Sequence, residues 1–215
     1  MTSLSIDPDK VGERLSLERL STYLSACSGD WDKALMLYSW NVELSGALFE
    51  AIAIVEVVVR NEFDVHLADW SQALGTDWMD GAPLDAKGRE DIAKARSRAY
   101  KNPTHGQVIA QLSFGFWKFL ATKRYLHSIW LPAMHGSFPN LAGLPGDRRI
   151  SVEQSIDRVW FLRNRIGHHE PIFSRDISRD LQAMSLLLDW ICEETSAWAS
   201  GLRRVDDVLA RRPPA

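Results

Sequence analysis

Near its middle-to-late region the chain reads Arg163-Asn164-Arg165-Ile166-Gly167-His168-His169-Glu170-Pro171, with two guanidiniums, two imidazoles and a carboxylate in close succession. These groups suit phosphate chemistry. A guanidinium is permanently charged and presents a fork that matches phosphate oxygens. An imidazole titrates near neutrality, so it can take a proton from a ribose 2′-hydroxyl or give one to a leaving 5′-oxygen. Attack by the 2′-oxygen needs no metal and leaves a cyclic phosphate. An aimed arginine would stabilise the charge that develops on phosphorus.

The spacing leaves the pairing open. Arg163 and His168 are five positions apart, roughly 140° around a regular helix of ~3.6 residues per turn. They share a face only if the last turn unwinds around Gly167 and the pre-proline Glu170, or if His168 works across a dimer interface. An unbroken helix would instead pair Arg165 with His169 at i,i+4. Cations at a helix C-terminus also have a purely structural use, because they complement the dipole and the last free carbonyls. His168, His169 and Glu170 offer metal-ligand chemistry, but adjacent histidines diverge on a helix and no second ligand cluster accompanies them. Neither a metal nor a cofactor is expected.

The elements that must position this segment read as helices. Asp7-Pro8 starts an N-terminal helix over about 8–28, with Leu17, Leu20 and Leu24 at helical spacing and Ser28-Gly29 as its stop. Asp30 caps a long helix through Trp40 and Phe49 to Leu67, with Asn41 and Gly46 as places where it could break. Its Ala51–Val59 run is rich in β-branched residues, yet it lacks turn signals, and Glu56 with Arg60 forms a favourable i,i+4 pair, so it reads as helix and not strand. A polar helix follows over 85–101, and Thr104 caps a segment leading into the aromatic block Leu112–Leu120. Three glycines and two prolines between Gly136 and Gly146 predict an inserted loop. Ser151 and Gln154 form a capping-box pattern for the helix that carries the motif, which Pro171 ends. A last long helix spans about 177–200 and stops at Gly201, followed by a short basic tail, 201–215. The expectation is one all-α domain over 1–215: a bundle with a core of about 30–200 and a Gly/Pro-rich inserted loop.

Bulk properties narrow the function classes. With 46% hydrophobic and 25% charged residues the chain is not of disordered composition. Its net charge of −3 excludes a global basic field, so RNA would have to follow local clusters: Lys118, Lys123 and Arg124; Arg148 and Arg149; Arg203, Arg204, Arg211 and Arg212. The N-terminus shows no leader pattern and the apolar stretch Leu44–Val59 carries Glu50 and Glu56, which predicts a soluble cytoplasmic protein with no membrane partner. Cys27 and Cys192 read as buried free thiols. The nine tryptophans, Trp117, Trp160 and Trp190 among them, suit core packing better than base stacking.

Arg163-Asn164-x-x-x-His168 is similar to the Arg-x(4–6)-His motif of HEPN domains, and Leu162–Pro171 as a whole resembles the Abi-like family, named for bacterial phage abortive infection. Tyr38-Ser-Trp-Asn41, Val55–Asn61 and Leu112–Trp117 support the resemblance in order along the chain. It implies a HEPN-like helical bundle that homodimerises, with the motifs of two protomers forming one composite cleft. It further implies a metal-independent endoribonuclease acting as a toxin or antiviral defence effector, with an antitoxin or defence-system partner. In that picture Arg163 stabilises phosphoryl charge, His168 is the acid or base and Asn164 orients the pair. His169, Arg165 and Glu170 support them, and Glu56, Arg60 and Asn61 match the family's Glu-x(3)-Arg-Asn pattern as a second polar wall or an internal ion pair. The alternative within the same resemblance is a non-catalytic RNA- or protein-binding module. Arg60 with His66 also fits Arg-x(5)-His and reads as a structural coincidence.

Overall fold

The computed structural model describes residues 7–214, and all of its regular structure there is helical. The absence of a leader pattern, read from the first residues, concerns positions that lie largely outside the described ones. Eleven α-helices follow in order: α1 (Pro8–Leu15), α2 (Leu17–Ala26), α3 (Trp31–Gln72), α4 (Trp78–Gly81), α5 (Ala86–Arg98), α6 (His105–Ile109), α7 (Phe114–Leu120), α8 (Pro145–Gly167), α9 (Ile177–Ile191), α10 (Glu193–Leu202) and α11 (Val205–Leu209). A short 3₁₀, π and 3₁₀ succession fills 123–137. No described helix is long and apolar enough to cross a membrane.

The chain divides into two compact units. The first holds the described residues up to Ala51, Asn164–Asp176 and those from Leu202 onward. The second holds Ile52–Arg163 and Ile177–Gly201. The backbones of α3 and α8 run through the boundary, so neither unit is one continuous stretch of sequence.

α3 is a single helix of 42 residues with no break at Asn41 or Gly46. Ten of its buried positions, Ala34, Leu37, Asn41, Leu44, Leu48, Ile52, Val55, Val59, Phe63 and Leu67, form a stripe that advances by three or four, with Trp40, Ala47 and Ser71 buried beside it. That stripe overrides the β-branched preference of Ala51–Val59. In the first unit Tyr23 packs against Tyr38 and Phe173, with ring centroids 5.2 and 5.1 Å away. The second unit is built around Trp78, Phe116 and Trp117, and around Trp130 stacked on Phe138. Trp117 is buried, whereas Trp160 and Trp190 are half-buried.

Several boundaries differ from the sequence expectations. The N-terminal helix is two helices, divided at Ser16, whose φ of 71° breaks the first and whose Oγ caps the N–H of Arg19 at the start of the second. α8 begins at Pro145, six residues before Ser151, so the loop is shorter than expected. Proline suits that first position because its missing N–H would have no helical partner, and the Leu144 carbonyl accepts from Asp147 and Arg148. The last long helix is interrupted at Cys192, which is only half-buried, while Cys27 is buried. Residues 201–215 are not a free basic tail. They include α11, whose Val205 and Val208 are fully buried.

Candidate functional site

α8 ends in a Schellman motif that fixes the motif residues one by one. The His168 N–H still bonds back to the Asn164 carbonyl at 2.9 Å, so the helix stays regular through that residue. His169 then turns into the left-handed region at φ 55°. Its N–H bonds to the Ile166 carbonyl at 2.9 Å, and the Glu170 N–H bonds to the Arg165 carbonyl at 2.8 Å. The departure from the helix therefore falls at His169, two residues beyond Gly167. His168 follows Arg163 with the rotation of an ordinary helix. A non-glycine left-handed residue persists only where its surroundings hold it. Here Arg19 donates to the His169 carbonyl and Arg165 donates to the Pro171 carbonyl at 2.6 Å.

The motif residues separate by what their side chains do. Arg165 is spent on the turn, paired with Glu170 at 3.3 Å as well as with Pro171. The expected Arg165–His169 pairing does not form. Among the described residues the side chains of Asn164, His168 and His169 have no hydrogen-bond or ion-pair partner, and both histidines are exposed. In the second unit Glu56 does not pair with Arg60. It meets Arg163 instead, its Oε1 lying 3.3 Å from the guanidinium Nε. Both atoms are buried, and the approach falls short of hydrogen-bond geometry. Burial pushes the Glu56 carboxyl above its ordinary value, against the opposing charges of Arg163 and Arg60. The Arg163 side chain is 40% exposed, and its outer nitrogens have no partner among the described residues. Arg60 donates to its neighbour Asn61 at 3.2 Å, and His66 meets Glu62 at 3.1 Å, so the second Arg-x(5)-His is occupied locally.

Beside the end of α8, within the first unit, lies a groove of about 600 Å³ lined by Tyr23, Tyr38, Asn41, Val42, Phe49 and His169, among others. Asn41 is almost wholly buried, and its Oδ1 accepts the Ile172 N–H at 2.8 Å. Tyr23 is fully buried with an unpartnered hydroxyl, and burial, the neighbouring Tyr38 adding to it, pushes its pKa up to about 12. In the sequence Tyr38 and Asn41 stand out as parts of a resembling segment, and Asn41 as a possible helix break, but neither as a groove residue. Tyr23 had no sequence signal.

The basic clusters are largely consumed by the fold. Arg204 clamps Glu50, Arg211 clamps Glu43, and Arg212 lies over the Trp40 ring. Lys118 sits 3.2 Å from Asp157 and over the Trp160 ring, Arg124 pairs with Asp85, and Arg149 is buried against Glu153 and the Ala121 carbonyl. Arg148 donates to the Gly143 carbonyl. A second polar cleft, missed in sequence, joins His105 to Asp64 at 2.7 Å and to Asp77 at 3.3 Å, with the Trp78 indole N–H on the same Asp64 oxygen. Among the described residues no three His, Cys, Asp or Glu side chains group so as to hold a metal ion. No family model, curated protein or solved structure matches the chain.

Proposed function

We propose that the protein is a metal-independent endoribonuclease of HEPN type that cleaves RNA by 2′-hydroxyl attack, with Arg163, His168 and Asn164 as its working residues. The observation that carries this reading is selective availability. Most arginines of the motif and of the tail are tied to carboxylates or carbonyls, whereas Arg163 keeps its outer nitrogens open and Asn164 and His168 are unpartnered. Glu56 steadies the inner nitrogen of Arg163, which leaves the fork free for two phosphate oxygens. His168 exchanges the proton of the 2′-oxygen or of the departing 5′-oxygen, and Asn164 orients substrate or imidazole by hydrogen bonding. His169 follows them in the chain, while Arg165 and Glu170 shape the turn. The homodimer and composite cleft implied by the resemblance bring two such sets to one strand. Val57 on α3, 41% exposed, is an apolar residue available to that contact. In a cell the activity would serve abortive defence against phage, restrained by an antitoxin or a defence-system partner.

The test is cleavage of single-stranded RNA in the presence of EDTA, with the ends identified. The expected products carry cyclic phosphates. His168→Ala should lose about 10²–10⁴-fold in rate and Arg163→Ala about 10²–10³-fold, with unchanged helical circular dichroism. Undiminished cleavage by both variants sinks the reading.

One observation favours a binding module instead: the net charge is acidic and the basic clusters are neutralised within the fold, so little positive field remains to draw in a long RNA. That reading expects a folded protein that retains RNA or a protein partner and never turns it over.

A further inference from the structure

The groove beside His169 has a composition that neither phosphate chemistry nor packing explains. Its long wall is one face of α3, where Tyr38, Val42, Ser45 and Phe49 recur at helical spacing and Val42 and Phe49 remain exposed. Gly46 keeps that wall low, since a Cβ there would meet only an Arg204 nitrogen at 3.6 Å. The floor is polar and incompletely satisfied. Asn41 is 4% exposed, and because the Ile172 N–H is a donor, the amide atom facing it at 2.8 Å must be oxygen. The amide is thereby fixed, and its Nδ2 amino group has no acceptor among the described residues. Tyr23 adds a second group, a fully buried hydroxyl with no partner.

We infer that this groove is a base-reading subsite for a keto nucleobase, uracil or guanine, of a single-stranded RNA. Aromatic and aliphatic side chains along α3 supply a stacking surface of the kind that holds unpaired bases. The Asn41 amino group donates to the exocyclic carbonyl, O4 of uracil or O6 of guanine. Adenine and cytosine present an amino group where uracil and guanine present that carbonyl, so two donors would face each other. A site that leaves a buried donor unpaired with the wrong ligand discriminates strongly. The inference rests on the reading of the protein as an RNA-cleaving enzyme, and it assigns the nucleotide next to the cleaved bond, because His169 lines the groove and directly follows His168.

The test uses the full chain carrying His168→Ala, which silences cleavage, and anisotropy titrations with labelled decamers of uridine, cytidine and adenosine. The uridine decamer should bind about tenfold or more tightly than the other two. Asn41→Asp keeps an oxygen for Ile172 and replaces the amino donor by an acceptor, so the preference should invert toward cytidine and adenosine. Gly46→Phe fills the groove with the amide untouched and should erase the preference, with circular dichroism and thermal melting confirming that both variants fold. Equal binding of all three decamers, or a uridine preference unchanged in both variants, overturns the inference. So does a change of oligomeric state in Gly46→Phe with base preference intact, which would give the groove to a second copy of the chain. Binding of free UMP as tight as that of the decamer overturns the assignment to a strand. Base preference without cleavage in the parental chain would remove the nuclease and leave the subsite. Cleavage indifferent to Asn41→Asp would do the reverse.

Discussion

At the scale of single residues, two of the buried polar groups that make no hydrogen bond in the fold, the Tyr23 hydroxyl and the Glu56 carboxyl, have a measurable cost. Removing a buried hydroxyl that makes no hydrogen bond relieves a desolvation penalty of about 1–3 kcal/mol. Tyr23 is such a group, packed on Tyr38 and Phe173 with its ring filling space. Tyr23→Phe keeps the ring, so urea unfolding should show a gain in stability within that range, and a loss would mean that the hydroxyl has a partner in solution. Glu56 is the other. Burial raises its carboxyl above the value it has in the unfolded chain, so the folded state binds that proton more readily. Its contribution to stability is therefore greatest below the ordinary glutamate pKa and is lost as pH rises through the raised one. Glu56→Gln should remove this dependence, and its stability relative to the parent should improve from pH 4 to pH 7.5. A difference that is flat with pH would show that Arg163 fully compensates the buried charge.

At the scale of elements, much was legible because periodicity is a local property. A stripe of ten buried positions on α3 advances by three or four, and that pattern predicts a helix from Asp30 past Leu67. Thr104 with Gln107 forms the capping box that opens α6, and Asn102 and Pro103 follow α5 as expected. What was not legible depended on contacts from far along the chain or on competing local signals. Ser16 breaks one helix and caps the next, but a lone serine between two leucines looks like a helix interior. Ser151 resembled a cap, yet Pro145 begins α8 because the Leu144 carbonyl and a bond from the Trp130 indole to Pro145 anchor the earlier start. In the motif the residue types were readable, but not which arginine is spent. Arg165 finds Glu170 only because His169 turns left-handed, and Arg163 finds Glu56 across a large sequence separation. The groove needed tertiary burial to be seen at all. His105 belongs here too, since it ties α6 to α3 and to the cap of α4. Burial alone would lower its pKa, but bonds to Asp64 and then Asp77 reverse that and raise it. A raised histidine stabilises the fold fully below its unfolded pKa of about 6.5 and loses that contribution as pH rises through the folded value. Hydrogen exchange in α6 should accelerate as pH rises above about 6.5 beyond the intrinsic rate increase, and His105→Gln should abolish the extra acceleration. Equal profiles for both proteins would show that the clamp does not carry the element.

At the scale of the molecule, the sequence suggests a bundle with a short basic tail, and the tail is the part whose role changes most. Residues from Leu202 onward belong to the first unit, with Val205 and Val208 fully buried and the Trp40 indole N–H bonded to the Val208 carbonyl at 2.7 Å. Burying each valine is worth about 1.5–3 kcal/mol, and an indole N–H left without an acceptor costs about 1–3 kcal/mol. Together these are a large share of the roughly 5–15 kcal/mol by which a domain is stable. The arginines that flank the helix matter much less. Arg204 with Glu50 and Arg211 with Glu43 are exposed pairs, which water and salt screen heavily. A chain ending at Gly201 should therefore lose the folded first unit, seen as a lower melting temperature and rapid proteolysis within 7–51, while the double variant Arg204→Ala, Arg211→Ala should melt close to the parent. Groove and motif turn both lie in that unit, so the truncated chain should lose base preference and cleavage together. If truncation leaves melting and proteolysis unchanged, the segment after Gly201 is an appendage after all, and the arginines regain standing as an RNA track.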